Sequence, residues 1–157
     1  ARRYLAATGY GSSGQAVFAY GSTGSRLSMK NLVNNSGVVA SDATGVGSAR
    51  NNLAAVKYGT DKAIFGYGST GSITGVTNLV SNVGVIASDV SGVGTARQYL
   101  AAASYGGDKA LFGYGNTAGG AVSMTNLVNN SGVVGSDVTG VGSVRETLGA
   151  AGYSTSA

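Results

Sequence analysis

The repetitive character of this chain is clearest in Asn126-Leu127-Val128-Asn129-Asn130-Ser131-Gly132-Val133-Val134-Gly135-Ser136-Asp137-Val138-Thr139-Gly140-Val141-Gly142. The same stretch occurs at 31–47 with only two changes, Ala40/Gly135 and Ala43/Val138, and a looser copy occupies 78–94. Such close self-similarity within one chain indicates that one structural unit is stacked several times.

The repeat boundaries follow from equivalent arginines outside this stretch, namely Arg2, Arg50, Arg97 and Arg145, which are separated by 48, 47 and 48 residues. We therefore predict three units, 1–48 (repeat 1), 49–95 (repeat 2) and 96–143 (repeat 3). Residues 144–157 form a remnant that contains a further copy of the first segment only.

The composition favours a folded chain of short strands. Apolar residues make up 43% of the 157 residues and charged residues only 10%, which is the opposite of the bias in disordered chains. There are 28 glycines and no prolines, so Gly, Asn, Asp and Ser must build the turns. We predict an all-β chain with four short strands in each repeat of about 48 residues.

The strand signals differ in clarity between the four segments. The second segment, Ala63-Ile64-Phe65-Gly66-Tyr67-Gly68 in repeat 2, predicts a strand with both aromatic rings on one face. The third segment spans 76–81 and the fourth 84–89, with equivalents in the other repeats. The first segment, which begins Ala-Arg-x-x-Leu-Ala-Ala at 1–7, 49–55 and 96–102, is ambiguous, because Ser48, Thr95 or Ser143 could N-cap a short helix. Its length of about ten residues favours a strand.

The order of these segments resembles the kelch repeat. The resemblance is carried by Arg-x-x-x-Ala-Ala, by Ala-Ile-Phe-Gly-Tyr-Gly at a hairpin end, and by Thr-Asn-Leu-Val before a last strand with an Asp-containing turn. Two features depart from it, since the family's Gly-Gly is here Gly66-Tyr67-Gly68 and the usual late Trp is absent. The resemblance implies a β-propeller in which each repeat is one four-stranded blade with the first segment innermost.

Three blades cannot close a propeller, because closed rings contain roughly four to eight. We therefore expect a homo-oligomer, such as a dimer with six blades, or completion by a neighbouring subunit or by more of the same polypeptide. In this scheme the remnant is a strand that copies exchange, and its key residues are Arg145, Leu148 and Tyr153. The chain does not begin with Met, so we also expect it to be processed or part of something longer.

Several functional classes are disfavoured by what the chain lacks. Without His and Cys there is no thiolate site and no imidazole base or ligand, so we expect no enzyme, no metal and no cofactor. The net charge of +4 is spread along the chain instead of forming a basic stripe, which argues against a nucleic-acid partner. No apolar run approaches the ~18 residues of a membrane span.

Three sets of repeated residues are candidates for binding. The tyrosines Tyr20, Tyr67 and Tyr114 could stack on sugar rings, although packing inside the fold is the simpler interpretation. The arginines Arg50, Arg97 and Arg145 could bind an anion in a central tunnel or make structural contacts to a neighbouring repeat. The aspartates Asp42, Asp89 and Asp137 could belong to calcium loops, but one carboxylate per repeat fits a local turn better.

These observations favour a non-enzymatic structural and interaction module at a virion surface or in an extracellular assembly. Repeats rich in Gly, Ala and Asn are similar in style to those of bacteriophage virion proteins and secreted adhesin-like proteins, so a fibre, tail or filament is the expected setting. A multivalent lectin, with glycan as partner and one site per blade, is the first alternative. A protein–protein adaptor is the second.

Overall fold

The computed structural model describes residues 1–152 and shows an all-β chain that has no helix within that range. The prediction of an all-β fold is therefore confirmed. The strands are β1 (Ala6–Tyr10), β2 (Gln15–Ala19), β3 (Lys30–Val33), β4 (Ala54–Tyr58), β5 (Lys62–Gly66), β6 (Thr77–Val80), β7 (Ala101–Tyr105), β8 (Lys109–Gly113), β9 (Asn116–Thr117), β10 (Gly120–Ala121) and β11 (Thr125–Val128).

Each predicted repeat contains one antiparallel three-stranded sheet. The strand orders are β1-β2-β3, β4-β5-β6 and β7-β8-β11, and the small hairpin β9-β10 is an addition in repeat 3. The registers correspond between repeats, since Ala54 pairs with Gly66 in repeat 2 as Ala101 pairs with Gly113 in repeat 3. These sheets form no closed barrel or propeller within residues 1–152.

The first segment is a strand in all three repeats, so the helical alternative is excluded for β1, β4 and β7. The chain turns directly from this strand into the second one, through tight turns such as the one between Tyr58 and Lys62. A helix could not supply the backbone groups that pair with the second strand, whose own alternation requires an extended neighbour.

The fourth segment does not form a regular strand, which corrects the prediction of four-stranded sheets. It touches the third strand through two isolated bridges in each repeat, as in Thr77↔Val90 and Val80↔Ile86. Between these bridges Ala87 donates its backbone N–H to Leu79, so the segment follows the sheet edge without a continuous ladder. The sheets are therefore three-stranded, with a loosely attached fourth segment.

The hydrophobic core lies between consecutive repeats. One cluster joins repeats 1 and 2 and consists of Tyr10, Val17, Ala19, Tyr20, Leu53, Ala63, Phe65, Val80 and Ile86. A second cluster joins repeats 2 and 3 and consists of Ala54, Val56, Tyr58, Ile64, Tyr67, Leu100, Ala110, Phe112, Val128 and Val134. Repeat 2 thus buries the two faces of its sheet against different neighbours, as expected for stacked repeats.

The two aromatic residues of the second segment face opposite neighbours, contrary to the prediction that they share one face. Phe65 packs edge-on against Tyr20 of repeat 1, with ring centroids 5.4 Å apart, whereas Tyr67 packs against Phe112 of repeat 3 at 5.1 Å. The alternation of a strand is broken because Tyr67 has a φ of 64°. This left-handed residue turns its ring to the other side of the sheet.

Candidate functional site

The most prominent polar feature is a buried arginine at each junction between repeats. Arg50 is fully buried, and its guanidinium carbon lies 4.1 Å from the centre of the Tyr20 ring of repeat 1. Its Nε donates to the carbonyl of Tyr67 at 3.1 Å, and its Nη1 lies 3.9 Å from a carboxylate oxygen of Asp89. Arg50 therefore connects the tyrosine of one repeat with the carboxylate of the next.

Asp89 completes this junction by holding the chain segment that precedes the arginine. Its carboxylate accepts the backbone N–H of Ser48 at 3.0 Å, the hydroxyl of Ser48 at 2.6 Å and the amide of Asn78 at 2.9 Å. The main donor to Asp89 lies 41 residues away, so this aspartate does not act only within its own turn.

The junction between repeats 2 and 3 repeats this geometry. Arg97 lies 4.6 Å from the Tyr67 ring and 3.6 Å from Asp137, and it donates to Asn126 at 2.6 Å. Asp137 in turn accepts the backbone N–H and the hydroxyl of Thr95. We use the word junction for the contact between two consecutive repeats. The polar set of the first junction is Tyr20, Ser48, Arg50, Asn78 and Asp89, and that of the second is Tyr67, Thr95, Arg97, Asn126 and Asp137.

Two hydrogen bonds of the arginine differ between the two junctions. Arg50 Nε donates to the carbonyl of Tyr67, whereas Arg97 Nε is buried without a partner. Arg97 Nη2 bonds Asn126 Oδ1, and Arg2 Nη2 bonds Asn31 Oδ1 in the same way at 2.6 Å. The counterparts in repeat 2, Arg50 Nη2 and Asn78 Oδ1, are both buried without a partner. A buried polar atom without a partner costs about 1–3 kcal/mol, so the first junction is the less completely satisfied of the two.

Burial sets the protonation behaviour of the junctions. It lowers the pKa of Arg50 and of Arg97, an effect that the nearby tyrosine and aspartate partly offset. Burial also raises the pKa of Tyr67 to about 12. For Asp89 and Asp137 burial acts to raise the pKa, but the hydrogen bonds from Ser48 or Thr95 and from the asparagine outweigh it, so both carboxyl groups have a lowered pKa.

Most of the predicted binding residues are buried and therefore not accessible to a ligand. Arg50 and Arg97 are fully buried; each donates to a residue of its own repeat, Tyr67 or Asn126, and stacks on a tyrosine of the preceding repeat. Tyr20 and Tyr67 are also fully buried, and each ring is covered by an arginine and an edge-on phenylalanine. These two rings have no free face for a sugar, which agrees with the packing interpretation.

The last stacked pair of tyrosine and arginine, Tyr114 and Arg145, is different because no further repeat covers it. Tyr114 is only partly buried, and Arg145, which stacks on it at 4.6 Å, is exposed. Gly115 donates to the carbonyl of Arg145 at 3.0 Å, and Thr147 donates to Tyr99 at 2.8 Å. The remnant thus starts where the first segment of a next repeat would lie. Leu148 is partly buried, while Tyr153 lies outside the described residues.

Repeat 1 has an open surface on its other side, which we call the N-terminal face and define by Leu5, Phe18, Asn31, Gly37, Val39 and Asp42. Phe18 is 37% exposed although its counterparts Phe65 and Phe112 are fully buried, and Val39 is 55% exposed although Ile86 is 2% exposed. Sequence reasoning missed this face, because a repeat unit does not show from its own residues which neighbour it lacks.

Repeat 3 has the matching open surface, which we call the C-terminal face and define by Tyr105, Leu111, Tyr114, Ser143 and Arg145. Leu111 is partly exposed, whereas its counterparts Val17 and Ile64 are fully buried. Tyr105 is likewise partly exposed, unlike Tyr10 and Tyr58, which are 3% and 2% exposed. The apolar residues of this face thus have counterparts that are covered at an internal junction.

Residues 1–152 contain no group of three or more acidic side chains that could hold a metal ion. Within the same range no helix is long and apolar enough to cross a membrane.

Comparison with known proteins gives a structural similarity only. No family model matches the chain, and no curated protein matches it. A solved structure described as "Structure of YjhT" superposes with a TM-score of 0.63 at 17% sequence identity, over 85% of this chain and 43% of that one. The chain thus spans less than half of that structure. At this identity the similarity concerns the fold alone, and it agrees with an all-β chain of stacked antiparallel sheets.

Proposed function

We propose that the chain is a non-enzymatic structural and interaction module, a kelch-like propeller segment in which each repeat acts as one blade. The ring is closed by association, and the closed ring serves as a building block of a larger surface assembly, such as a virion fibre, a tail or an extracellular filament. The observation that carries this proposal is the pair of open faces, whose counterparts inside the chain are both buried junctions.

The allocation of polar residues supports a scaffold over a catalyst. The arginines, asparagines and aspartates that recur in every repeat bind one another at the junctions instead of converging on a cleft. Burial of Arg50 and Arg97 is expensive and is offset only when the hydrogen bonds and the aromatic stacking are in place. Such residues make the stacking of repeats specific, which is what an assembly component requires.

An apolar surface left open on a folded chain is normally covered by a partner. The two faces present Phe18, Val39, Leu111 and Tyr114 to solvent in the isolated chain. Exposed apolar patches of this kind mark association sites, and a kelch-like ring needs more blades than this chain supplies. Association therefore satisfies the burial of apolar surface and the closure of the ring together.

The test is the native mass in solution, measured by light scattering with the 157-residue chain. An even-numbered oligomer of the 15.3 kDa chain, unchanged by added sugars, is the expected result. A folded monomer at all concentrations would refute closure by association. A glycan array separates the lectin alternative, since specific binding that free sugar reverses would favour that function over a purely structural one.

A further inference from the structure

We infer that the C-terminal face of one copy binds the N-terminal face of a second copy, head to tail, and that the remnant of the first copy replaces the first segment of the second. This inference rests on the proposed function and specifies its partner and its contacts. What covers each face is shown by the chain itself, because the same two surfaces meet at both internal junctions.

The aromatic contact defines how the two faces meet. At the internal junctions a tyrosine packs edge-on against the phenylalanine of the next repeat, as in Tyr20 with Phe65 and Tyr67 with Phe112. The C-terminal face presents the next tyrosine, Tyr114, and the N-terminal face presents the unmatched phenylalanine, Phe18. Their contact in a pair of copies would continue the series with the geometry already used twice.

In a second contact, a tyrosine ring fills the space beside a glycine of the next repeat. Tyr10 occupies the space beside Gly84, where an added Cβ would lie 2.8 Å from the ring, and Tyr58 occupies the space beside Gly132 in the same way. Beside Gly37, the equivalent glycine of repeat 1, a Cβ would meet nothing within 4 Å. Tyr105 is the equivalent tyrosine of repeat 3 and is partly exposed. We assign the space beside Gly37 of the second copy to Tyr105 of the first copy.

The third contact is polar and joins an aspartate to the hydroxyl group of the preceding repeat. In the internal junctions Asp89 accepts from Ser48, and Asp137 accepts from Thr95. The equivalent aspartate of repeat 1 is Asp42, which accepts only from Asn31 among the described residues. The equivalent hydroxyl is that of Ser143, two residues before Arg145. The segment 143–145 of one copy therefore supplies the hydroxyl, the backbone N–H and the guanidinium that Asp42 and Asn31 of the other copy are built to bind.

Two segments compete for one place in this arrangement. Arg2 and Arg145 are equivalent, and residues 144–153 match 1–10 at Arg, Leu, Ala, Gly and Tyr. The bonds from Gly115 to Arg145 and from Thr147 to Tyr99 already hold the remnant on its own repeat 3. The second copy therefore releases residues 1–10, and the remnant pairs with its β2. Because like replaces like, such an exchange costs little.

The head-to-tail geometry is tested by mixing two variants of the full chain. Phe18→Asp blocks only the N-terminal face, and Tyr114→Asp blocks only the C-terminal face. We expect each variant alone to lose association by at least about tenfold in the dissociation constant, and an equimolar mixture to form heterodimers, since one intact pair of faces remains. If two identical faces bound each other instead, mixing the variants would not restore association. Failure of the mixture to associate therefore overturns the inference.

A second pair of variants guards against loss of folding. Asp42 and Arg145 are exposed, so Asp42→Arg and Arg145→Asp should retain the circular dichroism spectrum of the parent chain. We expect each single variant to weaken association and the double variant to recover at least part of it. Folded single variants that associate as well as the parent would overturn the assigned polar contact.

Limited trypsin digestion tests the exchange. In the associated form we expect faster cleavage after Arg2 and Arg3 and protection at Arg145; the reverse pattern would overturn the exchange. The outcomes also separate the inference from the proposed function. A parent chain that is monomeric contradicts both, whereas an oligomer that persists in both Phe18→Asp and Tyr114→Asp retains closure by association and refutes the head-to-tail seam.

Discussion

At the residue scale, the junction arginines perform a task for which few side chains are suited. A planar guanidinium can stack on a tyrosine ring while its edge donates to a carbonyl, an amide oxygen and a carboxylate. Arg97 stacks on Tyr67, donates to Asn126 and lies 3.6 Å from Asp137, whereas the bond to a tyrosine carbonyl is made by Arg50. A lysine could not satisfy these directions at once, so the equivalent position is expected to tolerate little change.

Replacement of Arg97 by alanine should destabilise the chain by about 2–4 kcal/mol, because Asn126 loses its donor, Asp137 loses its ion-pair partner and a buried volume is vacated. The check is urea unfolding followed by circular dichroism. Arg3→Ala is the control, since Arg3 stacks on Tyr4 at 5.3 Å in an exposed position, and a change below about 1 kcal/mol is expected there. Equal losses in the two variants would contradict the structural role of the junction.

Alkaline pH should destabilise the chain through the buried tyrosines. Because the folded-state pKa of Tyr67 is raised from 10.0 to about 12, its contribution is fully present below pH 10 and is lost as the pH rises toward 12. The loss amounts to roughly 2–3 kcal/mol. Urea midpoints measured between pH 8 and pH 12 should fall accordingly, with Tyr20 acting in the same direction.

Tyr67→Phe provides the comparison for this pH profile. The variant loses the hydrogen bond from the hydroxyl to the carbonyl of Val93, so a constant loss of about 0.5–1.5 kcal/mol is expected at pH 8. Its further loss between pH 10 and pH 12 should be smaller than that of the parent. Parallel profiles for the two proteins would show that Tyr67 does not titrate in this range.

At the scale of the strand, sequence reasoning located the elements well and their faces less well. The repeat period, the turn glycines and the alternation around Phe65 were sufficient to place the second and third strands. The direction of Tyr67 could not be predicted, because it depends on a left-handed backbone that favours glycine and is rare for tyrosine. The fourth segment was predicted to be a strand because it is rich in β-branched residues, yet only isolated bridges join it to the sheet.

The turn between β4 and β5 offers a stability prediction at this scale. Gly59 and Thr60 both have positive φ, of 57° and 66°, whereas repeat 3 has Gly106 and Gly107 in these positions. A β-branched residue is strained there, so Thr60→Gly should stabilise the chain by about 0.5–1 kcal/mol in urea unfolding.

The reverse substitution, Gly107→Thr, is the matched control in repeat 3. The position is exposed and a Cβ there meets nothing within 4 Å, so its effect reports the backbone alone. It should destabilise by a similar amount. The same sign of change in both variants would show that the turn glycine is not what decides the stability.

At the scale of the whole molecule, stability should grow with the number of junctions. Inserting a second copy of 49–95 after residue 95 adds one complete junction, because repeat 2 presents both faces that a junction needs. We expect a higher urea midpoint and a steeper transition than for the parent chain. Insertion of a scrambled sequence of the same length is the control, and an unchanged midpoint for the true repeat would contradict additive stacking.

The junctions also show why the candidate site was only partly predictable. The repeated arginines and aspartates were visible in the sequence as equivalent positions, and a contact to a neighbouring repeat was among the interpretations. Which residues meet could not be read from spacing, because Asp89 reaches back to Ser48 across 41 residues and into the preceding connection. Likewise, the exposure of Phe18 depends on a neighbour that repeat 1 lacks, not on its own sequence.

The long reach of the junction aspartate has a consequence for folding during synthesis. Tyr20 leaves the ribosome well before Arg50 and Phe65, which cover its ring, and Ser48 emerges before the Asp89 that holds it. Each newly made repeat therefore completes the one before it, and a unit that folds extends across the boundary between two repeats of the sequence. In nascent repeat 1 the ring of Tyr20 therefore stays uncovered until the first half of repeat 2 has been synthesised.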